Sequence, residues 1–397
     1  MKRLAVVALL ALLVGCEATP VETASAIKTK KVLKKNIELP VDYPVAIYVD
    51  KTKPETGINF FGKLEEASLL VASDMFSHAE MLNAESDFNY LLRVKSNSRW
   101  DTVWGGYNSV VNLEVVDRQG NVVFSQETKK GSSGGYLDFD AVYNALAKVM
   151  KESLIDFVNQ QGADKLTASI AAFKGDKQPI VDLKSLINQS KPNSSGTGFF
   201  IDKQGSVATA AHVVDECLAI EIAYEGKTYA ATLKEKSNLL DLAVISSDIP
   251  NTDHANITES YKPNLGKPVF VTGFPLSGIL SDYPSLTVGN VSSYGGLKGA
   301  KGQFQFTAPI QPGNSGGAVV DYQGHLVGIV SSSLNQSMML EKAGTTAQNV
   351  NFGVEHQLFK KFLDKNKVGY VMSNDDVNFE VASQQALKYT NQVLCYQ

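Results

Sequence analysis

Residues 307–321 read TAPIQPGNSGGAVVD, a turn built from Pro312, Gly313, Asn314, Ser315, Gly316 and Gly317 between two apolar stretches. One serine among so many glycines has two explanations, a bend in the chain or a hydroxyl aimed at a substrate. A serine hydroxyl is a weak nucleophile near neutral pH, so the second explanation requires a base to take its proton and an acid to orient that base. Both stand upstream at the ends of strand-like runs: His212 follows TAA, and Asp241 opens DLAVI. The glycines answer a separate demand. A tetrahedral intermediate carries an oxyanion that must meet preorganised backbone N–H groups, and a turn free of side chains can present them at close range. Gly313 and Ser315 are the expected donors.

Around this turn the chain is a succession of short β-branched runs separated by Gly, Asn and Asp, among them GFFID, SVATAAHVV, LAVISS, PVFVTGF, LTVGNVSSY, QFQFTAP and GHLVGIVSSS. Strands of this length and spacing predict a barrel or sandwich, closed by a helix at HQLFKKFLDKN. The pieces GTGFFID, TAAHVV, LLDLAVI, VTGFP, TVGNVSS, QPGNSGGAVVD, GHLVGIV and NFGVE, in this order over about residues 190–360, resemble trypsin-like serine peptidases, most of all the bacterial HtrA-type branch. That resemblance implies an all-β double β-barrel over 196–370. It also implies a Ser-His-Asp triad of Ser315, His212 and Asp241, an oxyanion hole from Gly313 and Ser315, a protein or peptide substrate, and no metal or cofactor.

The same turn also satisfies the looser G-x-S-x-G pattern of α/β-hydrolases. In those enzymes the serine enters a helix and the acid and histidine follow it in sequence. Here Ser315 leads into AVVDYQGHLVGIV, a strand, turn and strand, with His325 only ten positions on and His356 opening the expected last helix. The order excludes the hydrolase reading. A third reading keeps the peptidase fold but makes it a catalytically weak or inactive binding or sensor module.

Two departures from the family carry information. Digestive members place Asp directly before the nucleophile to pair with a freshly cut N-terminus, whereas this chain has Asn314, so activation by cleavage is not implied. The base of the primary pocket lies six residues before the nucleophile, which is Pro309, so no carboxylate awaits Lys or Arg. By the same alignment Ile310, Ser331, Ser332 and Ser333 line the pocket, which suggests small or aliphatic substrate side chains. The stretch after 370 is too short for the PDZ domains that many HtrA-type proteases carry, and residues 371–397 read as a helical tail.

The chain begins with MKR and the apolar run LAVVALLALLV, about 16 Å long as a helix and too short to span a bilayer. It reads as an export signal over residues 1–15. Leu13-Val14-Gly15-Cys16 resembles the lipobox of bacterial lipoproteins, which implies lipid on Cys16. With Glu17 rather than Asp after it, the resemblance points to the outer membrane facing the periplasm, with contact to the membrane through the N-terminal lipid. Lysine-rich residues 16–36 read as a solvated tether. Residues 37–162 alternate strand-like and helical runs, with a hairpin signal at Arg118–Asn121, and predict two helices over one small mixed sheet, an α+β unit. Residues 163–195 read as a linker with a short helix. His78, at the polar end of an expected helix, has no second His or Cys beside it, so a metal site is not expected. Cys217 and Cys395 remain for one disulfide in an oxidising compartment, with two buried thiols as the alternative. A net charge of −4 over 397 residues, without a basic face, argues against nucleic acid. The sequence sets no oligomeric state.

Overall fold

A computed structural model describes residues 19–52, 60–100, 106–131, 138–174, 180, 182–276, 283–296, 299–333 and 349–397. The export signal, Cys16, Trp104 and the glycine-rich loop after Lys130 lie outside them. The chain divides into two compact units, Met1–Lys191 and Pro192–Gln397.

In the first unit, β1 (Val41–Val49), α1 (Phe61–Met75), β2 (Phe76–Met81), β3 (Tyr90–Trp100), β4 (Tyr107–Asp117), β5 (Val122–Gly131) and α2 (Phe139–Lys174) follow one another. The sheet order is β2-β1-β3-β4-β5, with β1 parallel to both neighbours and the other pairs antiparallel. Period-2 alternation decides which face is buried. Tyr43, Val45, Ile47 and Val49 of β1 and Tyr90, Leu92 and Val94 of β3 share one core with Leu64, Val71 and Met75 of α1 and Leu146, Met150 and Phe157 of α2. The expected hairpin turns at Arg118–Asn121, where Asp117 Oδ1 accepts the N–H groups of Gln119 and Asn121 and Gly120 takes φ 87°. His78 lies on β2 rather than on a helix, exposed and 3.5 Å from Glu80.

Two boundaries differ from the sequence reading. The α+β unit, expected to end near residue 162, is followed directly by more helix: the helical backbone is broken at Gly162, whose φ is 70°, and a second helical stretch runs on to Lys174. The expected tether is instead fastened to α2. Asn144 bonds the backbone at Thr19 and Val21, Lys151 donates to Ala24 O and Ile27 O, and Asn159 bonds Val32 and Lys34. These three helix residues, seven and eight positions apart, share one face, and Ala24 and Ile27 are buried beneath it.

The second unit contains β6 (Ser194–Phe200), β7 (Ser206–Thr209), β8 (Ala219–Tyr224), β9 (Lys227–Ser237) and β10 (Leu242–Ser247). Next come β11 (Pro268–Gly273), β12 (Ser285–Ser293), β13 (Gln303–Phe306), β14 (Ala318–Asp321), β15 (Leu326–Ser333) and β16 (Asn351–Glu355). It ends with α3 (His356–Lys365), α4 (Phe379–Tyr389) and β17 (Thr390–Tyr396). They form two closed barrels, β10-β7-β6-β17-β8-β9 and β11-β12-β13-β16-β15-β14. The near-continuous apolar runs of the second barrel serve two cores at once. Val269 and Val271 of β11, Val319 of β14 and Val327 of β15 fill that barrel with Phe304 and Phe306. The alternate residues Phe270, Ala318, Val320 and Leu326 instead join Phe199, Val207 and Val244 of the first barrel and Phe359 and Phe362 of α3.

The tail is therefore not helical throughout. After α4 the chain turns into β17, which lies between β6 and β8 and closes the first barrel, with Cys395 fully buried. Cys395 is bonded to Cys217 with Cα atoms 5.4 Å apart.

Candidate active site

His212 sits in a single 3-10 turn, Ala211–Val213, directly after β7. Asp241 ends the β9–β10 connection with φ 55°, a left-handed conformation that aspartate tolerates better than most residues. The two meet at the barrel rim. Asp241 Oδ1 accepts from the His212 backbone N–H at 3.1 Å and lies 2.8 Å from the ring Nδ1. An ionised carboxylate only accepts, so Nδ1 carries the proton and Nε2 keeps its lone pair. The other carboxylate oxygen, Oδ2, accepts from Ser331 Oγ at 2.6 Å. Asp241 is thus gripped on both sides, which fixes the ring plane it orients.

The charges respond accordingly. The hydrogen bond to Asp241 is the largest influence on His212 and raises it above the ordinary imidazole value, against the opposing effect of burial. Burial alone would raise Asp241, but the hydrogen bonds from His212 and Ser331 outweigh it and hold the carboxyl below its usual range.

The Ser315 turn is bonded to the same strand that carries Ser331. Gly316 N–H donates to Val330 O at 2.8 Å, one residue from Ser331. On the other side, a Cβ on Gly316 would collide with Thr209 Oγ1 and Ala210 N, two residues before His212. Gly316 also has φ 85°, so glycine is required twice over. The Ser315 turn is in this way packed beside the residues that lead into His212 and bonded to the strand that carries the Asp241 partner Ser331. The Ser315 hydroxyl makes no hydrogen bond among the described residues. Within the turn, the N–H groups of Asn314, Gly316 and Gly317 are all bonded inward, while those of Gly313 and Ser315 have no partner among the described residues. Two free donors flanking a nucleophile are what a developing oxyanion needs.

Comparison with known proteins agrees with this geometry. Residues 196–329 match the family described as "Trypsin-like peptidase domain". This segment is a trypsin-like peptidase domain. An uncharacterised protein of Sinorhizobium fredii is 37% identical over 172 residues, covering 43% of this chain and 27% of that one. The serine endoprotease DegS of Escherichia coli is 31% identical over 187 residues, covering 45% of this chain and 50% of its own. An HtrA-like serine protease of Staphylococcus epidermidis is 25% identical over 277 residues, covering 65% of this chain and 44% of its own. The chain thus spans half or less of the length of each of these relatives.

Within the peptidase domain the expected pocket residues separate. Ser331 is buried, and its hydroxyl donates to Asp241 Oδ2, a contact that the sequence reading did not foresee. Nothing local in SSS foretold this, because the bond joins residues 90 apart. Ser332 and Ser333 are on β15, opposite Phe352 and Asn351 of β16. Pro309 is exposed, and Ile310 packs against the core of the second barrel. No group of three or more His, Cys, Asp or Glu among the described residues is arranged to hold a metal ion.

Proposed function

We propose that the second unit is a serine endopeptidase, with Ser315 as nucleophile, His212 as general base and Asp241 as its orienting acid. The observation that carries this is the doubly held Asp241–His212 pair beside a serine turn in which the N–H groups of Gly313 and Ser315 have no partner among the described residues. On substrate binding, His212 Nε2 takes the Ser315 proton as Oγ attacks the peptide carbonyl. The carbonyl oxygen becomes an oxyanion between the two N–H groups. The same imidazole then protonates the leaving amine, and water repeats the sequence on the acyl-enzyme. The names of the E. coli and S. epidermidis relatives, both serine proteases, support the reading.

The pocket, lined by Pro309, Ile310, Ser331, Ser332 and Ser333, has no carboxylate at the Pro309 position for a cationic side chain and favours small or aliphatic ones. Incubation with a peptide library is the direct test. Cleavage after small aliphatic residues is expected; cuts confined to sites after Lys or Arg would refute the pocket, and an uncut library would refute the activity.

The pH profile follows from His212. A protonated imidazole cannot accept the serine proton, and Asp241 keeps the ring protonated to a higher pH than usual. Activity is therefore expected to rise with pH through a midpoint above the ordinary histidine value of about 6.5. A limb in kcat/KM centred below about 6 would remove Asp241 from its role.

The anchor belongs to the same proposal: lipid on Cys16 holds the enzyme at the outer membrane facing the periplasm. Two or more acyl chains give stable attachment where one gives only reversible binding. No helix among the described residues is long and apolar enough to cross a membrane. Incorporation of labelled fatty acid that disappears in Cys16→Ser tests the anchor.

A further inference from the structure

The oxyanion turn is held by one residue that the catalytic reading does not use. Thr197, on β6, is fully buried. Its backbone N–H donates to Ser315 O at 2.9 Å, and its hydroxyl donates to Gly313 O at 2.6 Å. The same Oγ1 accepts from Phe274 N–H at 3.0 Å, and its carbonyl accepts from Thr209 Oγ1 at 2.8 Å. Thr197 therefore grips the carbonyls of both residues whose N–H groups stay free.

The reason this matters is rotational. A peptide plane in a glycine-rich turn can flip at little steric cost, and a flip that turns an oxyanion donor away removes it from the site. Gly313 is the vulnerable position: its φ of 102° is open to glycine alone, and glycine restrains nothing by itself. Its carbonyl is tied down by one bond, from Thr197 Oγ1, and the preceding carbonyl, Pro312 O, by one bond from Leu276 N–H at 2.7 Å. Leu276 holds this position with φ 46°, a backbone conformation costly for leucine. The plane between Gly313 and Asn314 is thus bonded at both ends, because Asn314 N–H donates to Gln311 O at 3.0 Å, and so is the plane between Ser315 and Gly316, to Thr197 N and Val330 O; the plane that carries the Gly313 N–H is held by the bond at Pro312 O.

We propose that the Thr197 hydroxyl is a positioning residue for the reaction, fixing the Gly313–Asn314 plane and with it the Gly313 Cα, so that the N–H on the other side of that Cα, whose own plane Leu276 holds at Pro312 O, keeps its place at the reacting oxygen. It does not touch substrate, and it relays the rigidity of β6 and of Phe274 into the turn. Its two flanking glycines allow the close approach this requires: a Cβ at Gly196 would meet Val213 side-chain atoms at 2.5 Å and Ser315 O at 3.1 Å. This inference rests on the peptidase reading above.

The test compares Thr197→Val, which keeps the shape and removes the hydroxyl, with Thr197→Ser, which keeps the hydroxyl. Full removal of an oxyanion donor costs about 100- to 1,000-fold in kcat. Loosening one is expected to cost about 10- to 100-fold in Thr197→Val, with KM within about twofold and the serine variant near wild type. Affinity for a peptide aldehyde, whose hemiacetal oxygen occupies the hole, should fall in step with kcat. The His212 imidazole titration by NMR should stay where it is, because Thr197 contacts neither His212 nor Asp241. Unchanged kcat in Thr197→Val, or a kcat loss without loss of aldehyde affinity, overturns the proposal while leaving the peptidase standing. A wild-type chain that neither cleaves peptides nor binds the aldehyde overturns both. Should Thr197→Val fail to fold, the same readouts on Thr197→Ala against Thr197→Ser decide.

Discussion

Ser315→Ala is expected to lower kcat by about a millionfold, about 8 kcal/mol in the barrier, which is the scale seen when a triad nucleophile is deleted. The loss is this large because nothing else at the rim can take over. His212 Nε2 would still be available as a base, and the N–H groups of Gly313 and residue 315 would still face the site, so a residual rate above that of water alone is expected. Stability should change by about half a kcal/mol or less. The hydroxyl makes no hydrogen bond among the described residues, and the bonds that shape the turn run through the backbone at Ser315 O, Gly316 N and Gly317 N. Activity and fold are therefore separable in one variant. A fluorophosphonate probe reacts with an activated serine only, so the mature chain should be labelled and Ser315→Ala should not, with superimposable thermal melts. Labelling that survives the substitution would place the nucleophile elsewhere. Absence of labelling in both would favour the binding-module reading.

The sequence carried the chemistry more legibly than the architecture that supports it. His212, Asp241 and Ser315 each sit beside a local signature, and their order separates this chain from α/β-hydrolases. Ser331 was legible as a strand residue near the pocket but not as the partner of Asp241. A bond across 90 residues depends on barrel register, which no window of sequence contains. Thr197 was hidden for the same reason: it stands between two glycines with no local signature of its own, yet it is fully buried and makes hydrogen bonds through N–H, hydroxyl and carbonyl. The tether was misread on composition. Residues 19–34 are held by Asn144, Lys151 and Asn159 bonding their backbone and by Ala24 and Ile27 entering the core of the first unit, anchors too scattered to show as a helix or strand period. The tail failed differently. Helical spacing does run through Phe379–Tyr389, but TNQVLCY continues as a strand because an open place between β6 and β8 waits for it about 170 to 200 residues upstream.

That last strand carries the second large effect. Removal of residues 390–397 is expected to abolish both activity and cooperative unfolding of the second unit. β17 is hydrogen-bonded on both sides, six residues in register with β6 and five with β8, so its loss opens the first barrel rather than trimming an edge. It also takes the buried side chains of Val393, Cys395 and Tyr396 out of the core. At about 1.5–3 kcal/mol for a large apolar side chain, that is a substantial part of the 5–15 kcal/mol by which a domain is stable. The loss reaches the active site directly. Leu218 N–H donates to Tyr396 O, Gln397 Nε2 to Asp215 O, and Cys395 is bonded to Cys217, so the segment just after His212 is tied down almost wholly by the chain terminus. The disulfide alone accounts for less. It closes a separation of 178 residues, and Cys217→Ser with Cys395→Ser should cost about 2–5 kcal/mol in denaturant melts while leaving kcat at 25 °C within a fewfold of wild type. The hydrogen-bonded strand holds the segment, and the disulfide stabilises the closed barrel mainly by restricting the unfolded chain. A truncated chain that still melts cooperatively and hydrolyses peptides would show that the first barrel closes without β17. A double serine variant as inactive as the truncation would assign the strand's role to the covalent bond instead.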